Sequence, residues 1–255
     1  MRYTLQVQYI GKNYAGSQIQ FENGIEIQTP TIQGELEKAI STLIFGDTEN
    51  NNRRFKTVFS GRTDRGVNSK GQIIHFDTDK PIVASKFVYQ LNEILPKDIS
   101  VSDLKQVDAS FHAQKSAKRR YYRYVFINRK CKNAFDGDLM RIKYDINIER
   151  MQNALNYLLG EHDFSSFKSS GTLNPSKVCF IEKAECKKDD DKVIIDIAGN
   201  RFLYNMVRTI VGTLLEIEGH NRSAEYMKQV LEACDRKKAG QTVSPYGLTL
   251  IKVEY

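Results

Sequence analysis

Ser60-Gly61-Arg62-Thr63-Asp64-Arg65-Gly66-Val67 is the stretch on which the reading of this chain turns. Two glycines bracket a carboxylate that has an arginine on either side. Glycine adopts backbone conformations closed to other residues, so Gly61 and Gly66 allow a tight loop and the close approach of a partner. Directly after it, Gly71-Gln72-Ile73-Ile74-His75-Phe76-Asp77 reads as a β-strand, and a loop anchored on a strand is a common place for a site. An Asp in a turn also caps backbone amides, so the residues alone leave Asp64 as a turn former or a functional carboxylate.

Outward from this loop the first half alternates strand and helix patterns. Residues 3–10 alternate apolar and polar, as a half-buried strand does, and Gly11 closes the run. Thr31 caps a helix from Ile32 to about Phe45, with Leu36, Ala39, Ile40 and Leu43 on one face. Residues 47–54 form a polar connection, and 55–59 a short strand into the Asp64 loop. Residues 85–95 form a second helix ended by Pro96, and 99–107 another strand. The order β-α-β-β-α-β is ferredoxin-like. A boundary near residue 107 divides an N-terminal half, 1–107, from a C-terminal half, 108–255.

The second half partly repeats the pattern. It has a strand at 121–127 and a helix from an Asn147 cap to Leu159, stopped by Gly160. A hairpin, 178–187 with 192–198, turns at Asp189-Asp190-Asp191. Helices follow at 201–218 and 223–234, then a strand at 248–253. The expected fold class is α+β, two ferredoxin-like halves with their sheets joined edge to edge, which buries the largest core.

The bulk numbers narrow the function. Among 255 residues, 38 Lys and Arg against 31 Asp and Glu give a net charge of +7, which favours acidic partners, nucleic acid first. The four cysteines (Cys131, Cys179, Cys186, Cys234) form no C-x-x-C pair, and the four histidines show no metal-ligand spacing beside them. No metal site and no disulfide framework are expected, and a reducing compartment fits. Residues 1–6 read as strand rather than as the apolar core of a secretion signal. No run approaches the roughly 20 apolar residues that cross a bilayer, so a cytoplasmic protein with no membrane role is expected.

Two further stretches carry chemistry. From Phe111-His112-Ala113 to Tyr124, basic and aromatic side chains interleave through Lys115, Lys118, Arg119, Arg120, Tyr121, Tyr122 and Arg123. Arginine attracts phosphate and aromatic rings stack on bases. On a strand, Arg119, Tyr121, Arg123 and Val125 share one face, and Arg120, Tyr122, Tyr124 and Phe126 the other. The same alternation also describes a plain strand with its aromatics in the core. In Gly199 to Gly212, Arg208 stands within an apolar helical stripe of Phe202, Met206 and Ile210. An arginine there either snorkels to solvent or pairs with a buried carboxylate.

Several of these motifs resemble one family in its own order. Gly61-Arg62-Thr63-Asp64 with Gly66-Val67 resembles the signature of the TruA family of tRNA pseudouridine synthases. So do Thr31 to Ala39, Phe111-His112-Ala113 with the later Tyr-x-Tyr, and His162-Asp163-Phe164-Ser165. Phe202-Leu203 to Gly212 and Pro245-Tyr246-Gly247-Leu248 complete the set, and the likeness runs from about Tyr3 to Tyr255. The resemblance implies a cleft between the two halves and an isomerase that converts uridine to pseudouridine at positions 38, 39 and 40 of the tRNA anticodon stem-loop.

It further implies Asp64 as nucleophile or base on a flipped-out uridine and Arg208 as its ion-pair partner. Tyr122 and Leu248 sandwich the uracil, and Arg62 is a candidate to fill the space it leaves or to hold the flipped nucleotide. Arg65, Lys115, Lys118, Arg119, Arg120 and Arg123 follow the RNA backbone. No cofactor is implied, and the protein acts as a homodimer on tRNA. Three features depart from the family. Arg65 stands where it has a small residue, Asn68 where it has His, and the Trp of its Gly-Trp-Gln is absent around Gly16-Ser17-Gln18. Two other readings compete: an RNA-binding protein or RNA chaperone on the same fold, and an α/β domain whose basic charge is incidental. The loop from Ser169 to Lys177, with Gly171 and Pro175, is a candidate to close over RNA.

Overall fold

A computed structural model describes residues 1–22, 25–26, 28–46, 55–169 and 176–255 of the protein. The polar connection at 47–54 and most of the 169–177 loop, including Gly171 and Pro175, lie outside the described residues. In chain order the strands and helices are β1 (Arg2–Tyr9), β2 (Phe21–Glu22), β3 (Ile25–Glu26), α1 (Ile32–Phe45), β4 (Val58–Phe59), β5 (Asn68–Asp77), α2 (Ala84–Ile94) and β6 (Ile99–Val107). There follow β7 (Arg119–Asn128), β8 (Arg141–Ile142), α3 (Ile148–Asn156), β9 (Gly160–Asp163), β10 (Val178–Asp189), β11 (Lys192–Gly199), α4 (Met206–Gly219), α5 (Glu225–Ala233) and β12 (Leu248–Glu254). The fold is mixed α+β, as the sequence predicts. It divides into two compact units, Met1–Lys118 with Leu250–Tyr255, and Arg119–Thr249.

The first unit has the ferredoxin-like order: β1 pairs antiparallel with β6 and with β5, β4 pairs antiparallel with β5, and β12 lies beside β5. Alternation in β1 turns Tyr3, Leu5, Val7 and Tyr9 inward, where they meet Leu36 and Ile40 of α1 and Leu91 of α2 in one core. Thr31 caps α1 as its sequence position predicts, its Oγ1 accepting the Gly34 N–H at 3.1 Å. The boundary falls after Lys118 rather than near residue 107, because the segment following β6 is tied back to this unit. Arg2 Nη1 donates to the carbonyls of Ala109 at 2.6 Å and Phe111 at 2.7 Å. The Ala113 N–H donates to His75 Nδ1 at 3.1 Å, and the Ala113 carbonyl accepts the Tyr255 hydroxyl at 2.8 Å.

In the second unit the strands run β7-β11-β10-β9, with β8 parallel to β7. Tyr124 and Phe126, which the alternation places on one face of β7, are buried, while Arg120 and Tyr122 on that face are half-buried. Asn147 caps α3, its Oδ1 accepting the Arg150 N–H at 2.9 Å. Helix α3 stops at Asn156, short of the expected Leu159, and the chain re-enters strand at Gly160, whose φ is 95°. The hairpin turns where the three aspartates stand, with Asp189 opposite Lys192. The helix expected over 201–218 begins only at Met206, because Asn205 is left-handed, φ 62° and ψ 6°. From there α4 is buried nearly all round. Gly212 lets the 240–241 segment lie directly on it: a Cβ at Gly212 would stand 1.7 Å from the Gln241 carbonyl oxygen.

Candidate active site

Asp64 begins a tight turn in the first unit. The Val67 N–H donates to the Asp64 carbonyl at 3.1 Å, which places Gly66 at the third turn position with φ 80°. That sign of φ is the one type II turns require there, and glycine takes it without the Cβ clash other residues meet. Gly61 plays a different part from the one its sequence position suggests. Its φ is not positive, and the space a Cβ would occupy is open. The Asp64 side chain is half-buried, and Arg62 and Arg65 on either side of it are exposed.

The turn is gripped from several directions within this unit. The Thr63 N–H donates to Ser17 Oγ at 2.8 Å, the Ser17 N–H donates to the Thr63 carbonyl at 3.1 Å, and the hydroxyls of Thr63 and the buried Tyr9 meet at 2.8 Å. Burial pushes the Tyr9 phenol above its ordinary pKa, so it stays a neutral hydrogen-bonding group. Before the turn, the Ser60 N–H donates to the Ile73 carbonyl at 2.8 Å, the Ser60 hydroxyl donates to Gln72 Oε1, and Gln72 Nε2 donates to the Gly61 carbonyl at 3.0 Å. After it, Asn68 Oδ1 accepts the Gly11 N–H at 2.9 Å. Gly11 itself allows close approach, since a Cβ there would stand 2.1 Å from the Val67 oxygen. Ser17, Tyr9, Gln72 and Gly11 are thus among the residues that build the Asp64 loop, and none of them is given that part by the sequence alone. Asn68 ties the end of the loop to Gly11.

Tyr122, Arg208 and Leu248 belong to the second unit. Tyr122 lies on β7 opposite Ile197 of β11, and its ring meets Phe202 edge-on, with centroids 5.0 Å apart. Leu248 is buried at the start of β12. The preceding turn packs on β7: the Tyr124 hydroxyl donates to the Ser244 carbonyl at 2.8 Å, and a Cβ on Gly247 would stand 2.4 Å from the Val125 oxygen. Arg208, in the first turn of α4, is half-buried among neighbours that are buried. Its Nε donates to the Val243 carbonyl at 2.8 Å and its Nη1 to Asn205 Oδ1 at 2.8 Å. Tyr124 is close enough to feel the Arg208 charge, which opposes the upward shift that burial gives its phenol.

The basic residues separate into two kinds. Lys115 and Lys118 of the first unit are exposed at the end of the segment before β7. In the second unit, Arg119 pairs with Glu182, and Arg120 Nη1 donates to the Asn200 carbonyl at 2.7 Å. Arg123 grips Asp196 with two bonds, at 2.7 and 2.9 Å. That fork geometry is the strong form of the pair. It follows from register, since Arg123 stands directly opposite Asp196 across the β7–β11 ladder. Among the described residues no group of three or more His, Cys, Asp or Glu side chains is arranged to hold a metal ion. No helix of the described residues is long and apolar enough to cross a membrane.

Comparison with known proteins bears on the whole chain. Residues 154–255 match the family model described as tRNA pseudouridine synthase. The tRNA pseudouridine synthase A of Anoxybacillus flavithermus is 42% identical over 252 residues, covering 98% of this chain and 96% of its own. That of Colwellia psychrerythraea is 37% identical over 256 residues, covering 100% of this chain and 94% of its own. Among solved structures, the archaeal box H/ACA sRNP Nop10–Cbf5 complex is similar with a TM-score of 0.38 at 10% identity, covering 92% of this chain and 59% of that chain.

Proposed function

The chain belongs to the TruA family of tRNA pseudouridine synthases, which are isomerases, and we propose that it isomerises uridine in the anticodon stem-loop of tRNA with Asp64 as its catalytic carboxylate. The reaction breaks the N1–C1′ bond of uridine, turns the ring and forms a C5–C1′ bond. The proton that leaves C5 is matched by one gained at N1. Product and substrate are isomers, so the step consumes no oxidant or reductant.

The observation that carries this reading is the construction around Asp64. A half-buried carboxylate starts a turn fixed by Gly66, and its preceding residue is gripped through both backbone groups by Ser17. Preorganisation of this kind is what a reacting group needs and what an ordinary surface turn lacks. In this reading Arg208 pairs with Asp64 and holds it ionised and aimed. Tyr122 and Leu248 hold the uracil between them. A base paired in a stem must first leave it, at about a few kcal/mol, and Arg62 occupies the vacated space.

Lys115, Lys118 and Arg65 meet the RNA backbone as exposed cations. Arg119, Arg120 and Arg123 contribute as well, with a phosphate sharing or displacing the carboxylate and carbonyl partners they already have. The protein works as a homodimer in the cytoplasm, one tRNA lying across both subunits.

Positional mapping tests the target. An unmodified tRNA transcript with uridine at 38, 39 and 40 is incubated with the protein without any cofactor, and pseudouridine is mapped by position. The proposal expects conversion at those positions and loss of it when each is replaced by cytidine. Conversion elsewhere would move the target while keeping the chemistry.

A further inference from the structure

Asn205 stands three residues before Arg208, at the N-cap of α4, and its side chain does not cap the helix. Asparagine at this position ordinarily keeps an extended backbone and accepts a first-turn N–H with its side-chain oxygen. Here the backbone is left-handed instead, φ 62° and ψ 6°, a conformation Asn tolerates better than most residues. The turned side chain reaches elsewhere. Its Oδ1 accepts from Arg208 Nη1 at 2.8 Å, and its Nδ2 donates to Ser169 Oγ at 3.0 Å. A guanidinium only donates, so it fixes which end of the amide faces it. Ser169 is itself held, its N–H donating to the Tyr204 carbonyl at 3.1 Å.

We propose that Asn205 is a positioning residue that sets the direction in which Arg208 presents its guanidinium. This rests on the reading of Arg208 as the partner of Asp64. The guanidinium is planar, so two anchors on different nitrogens fix it in plane and in rotation. The Val243 carbonyl is the anchor on Nε, and Asn205 is the anchor on Nη1. A strap across α4 fixes the first anchor: the Gly240 N–H donates to Thr213 Oγ1 at 3.0 Å, and the hydroxyls of Thr209 and Thr242 meet at 3.1 Å. The second anchor is the Asn205 side chain, itself held by Ser169. Removing it takes away the Nη1 bond while Arg208 keeps its charge and its Nε bond, so the guanidinium is held less firmly in its direction.

The test is N205G, which keeps the left-handed backbone available while removing the amide. Single-turnover isomerisation is measured beside tRNA affinity in wild type, N205G, R208K and N205G/R208K. The rate in N205G is expected to fall about 10- to 100-fold, the scale of a lost hydrogen bond to a charged group. Affinity for tRNA stays within about threefold. On the R208K background N205G costs less than about twofold, because the group it positions has already changed. N205D, which also suits the left-handed backbone, places a competing carboxylate on Arg208 and is expected to lose more than N205G.

An N205G enzyme as fast as wild type, in a protein that R208K impairs, overturns the role of Asn205 and leaves the reading of Arg208 standing. An equal loss from N205G in both backgrounds also overturns it, since that is what a merely structural residue does. If R208K matches wild type, the reading of Arg208 fails and the inference fails with it.

Discussion

Ser17 holds Thr63 by both backbone groups, through a bond from the Thr63 N–H to Ser17 Oγ at 2.8 Å and one from the Ser17 N–H to the Thr63 carbonyl at 3.1 Å. Thr63 immediately precedes Asp64, so this grip sets where the Asp64 turn begins. S17A leaves a buried N–H without its acceptor, at about 1–3 kcal/mol. A lower denaturant midpoint is expected, with an isomerisation rate roughly tenfold down at unchanged tRNA affinity, the free energy appearing as misplacement of the carboxylate. Equal losses of rate and affinity would assign Ser17 to folding alone.

The two glycines of the loop are predicted to behave oppositely. Gly66 has φ 80°, and a Cβ there costs about 1–2 kcal/mol. Denaturant midpoints should therefore fall in the order wild type, G66N, G66A. Gly61 has no such φ and faces open space, so G61A should leave the midpoint where it is. A loss of tRNA affinity in folded G61A would mark that space as one the RNA enters.

In the second unit Glu218 has a fully buried side chain held by Arg150 at 2.7 and 2.8 Å and by the Asn147 N–H at 2.7 Å. The pair ties the start of α3 to the end of α4. R150A leaves the carboxylate buried with its main partner gone, and the expected loss is about 3–5 kcal/mol. R150M/E218L, which removes both charges, should recover a large part of that. Equilibrium unfolding of the single and double variants checks both values.

Thiol chemistry follows the burial of the cysteines. Burial pushes the Cys179 thiol up to about 11 and the Cys186 thiol up to about 12, while Cys131 and Cys234 are exposed. The thiolate is the reactive form, so a raised pKa keeps both buried groups protonated and inert at pH 8. Alkylation of the native protein should label Cys131 and Cys234, and denatured protein should take label at Cys179 and Cys186 too. Mass mapping reads the sites.

The parts legible in the sequence were those set by local chemistry. Thr31 and Asn147 cap the helices their positions announce, and the strand alternation that groups Tyr124 with Phe126 holds in β7, where both are buried. Gly66 declared a turn. What stayed hidden depends on distant approach. Ser17 reaches Thr63 and Gly11 meets Val67 only after folding, and both are small residues with no periodicity of their own. The late start of α4 hid behind an apolar pattern that continues through Asn205, whose left-handed backbone no hydrophobic period reports. Arg123 reads as a free cation until the strand register sets it opposite Asp196. The segment from Ala109 to Lys118 looked like the second half because its anchors, Arg2, His75 and Tyr255, come from far along the chain.

The central claim is that Asp64 does the chemistry. Its most direct test is conversion of uridine to pseudouridine in an unmodified tRNA transcript under single-turnover conditions, with wild type and D64N side by side. D64N is nearly the same size and removes the charge. The account predicts turnover by wild type alone, with D64N bound to tRNA within a few-fold of wild type and unfolding at the same denaturant concentration. Turnover by folded D64N at a rate near that of wild type would contradict it.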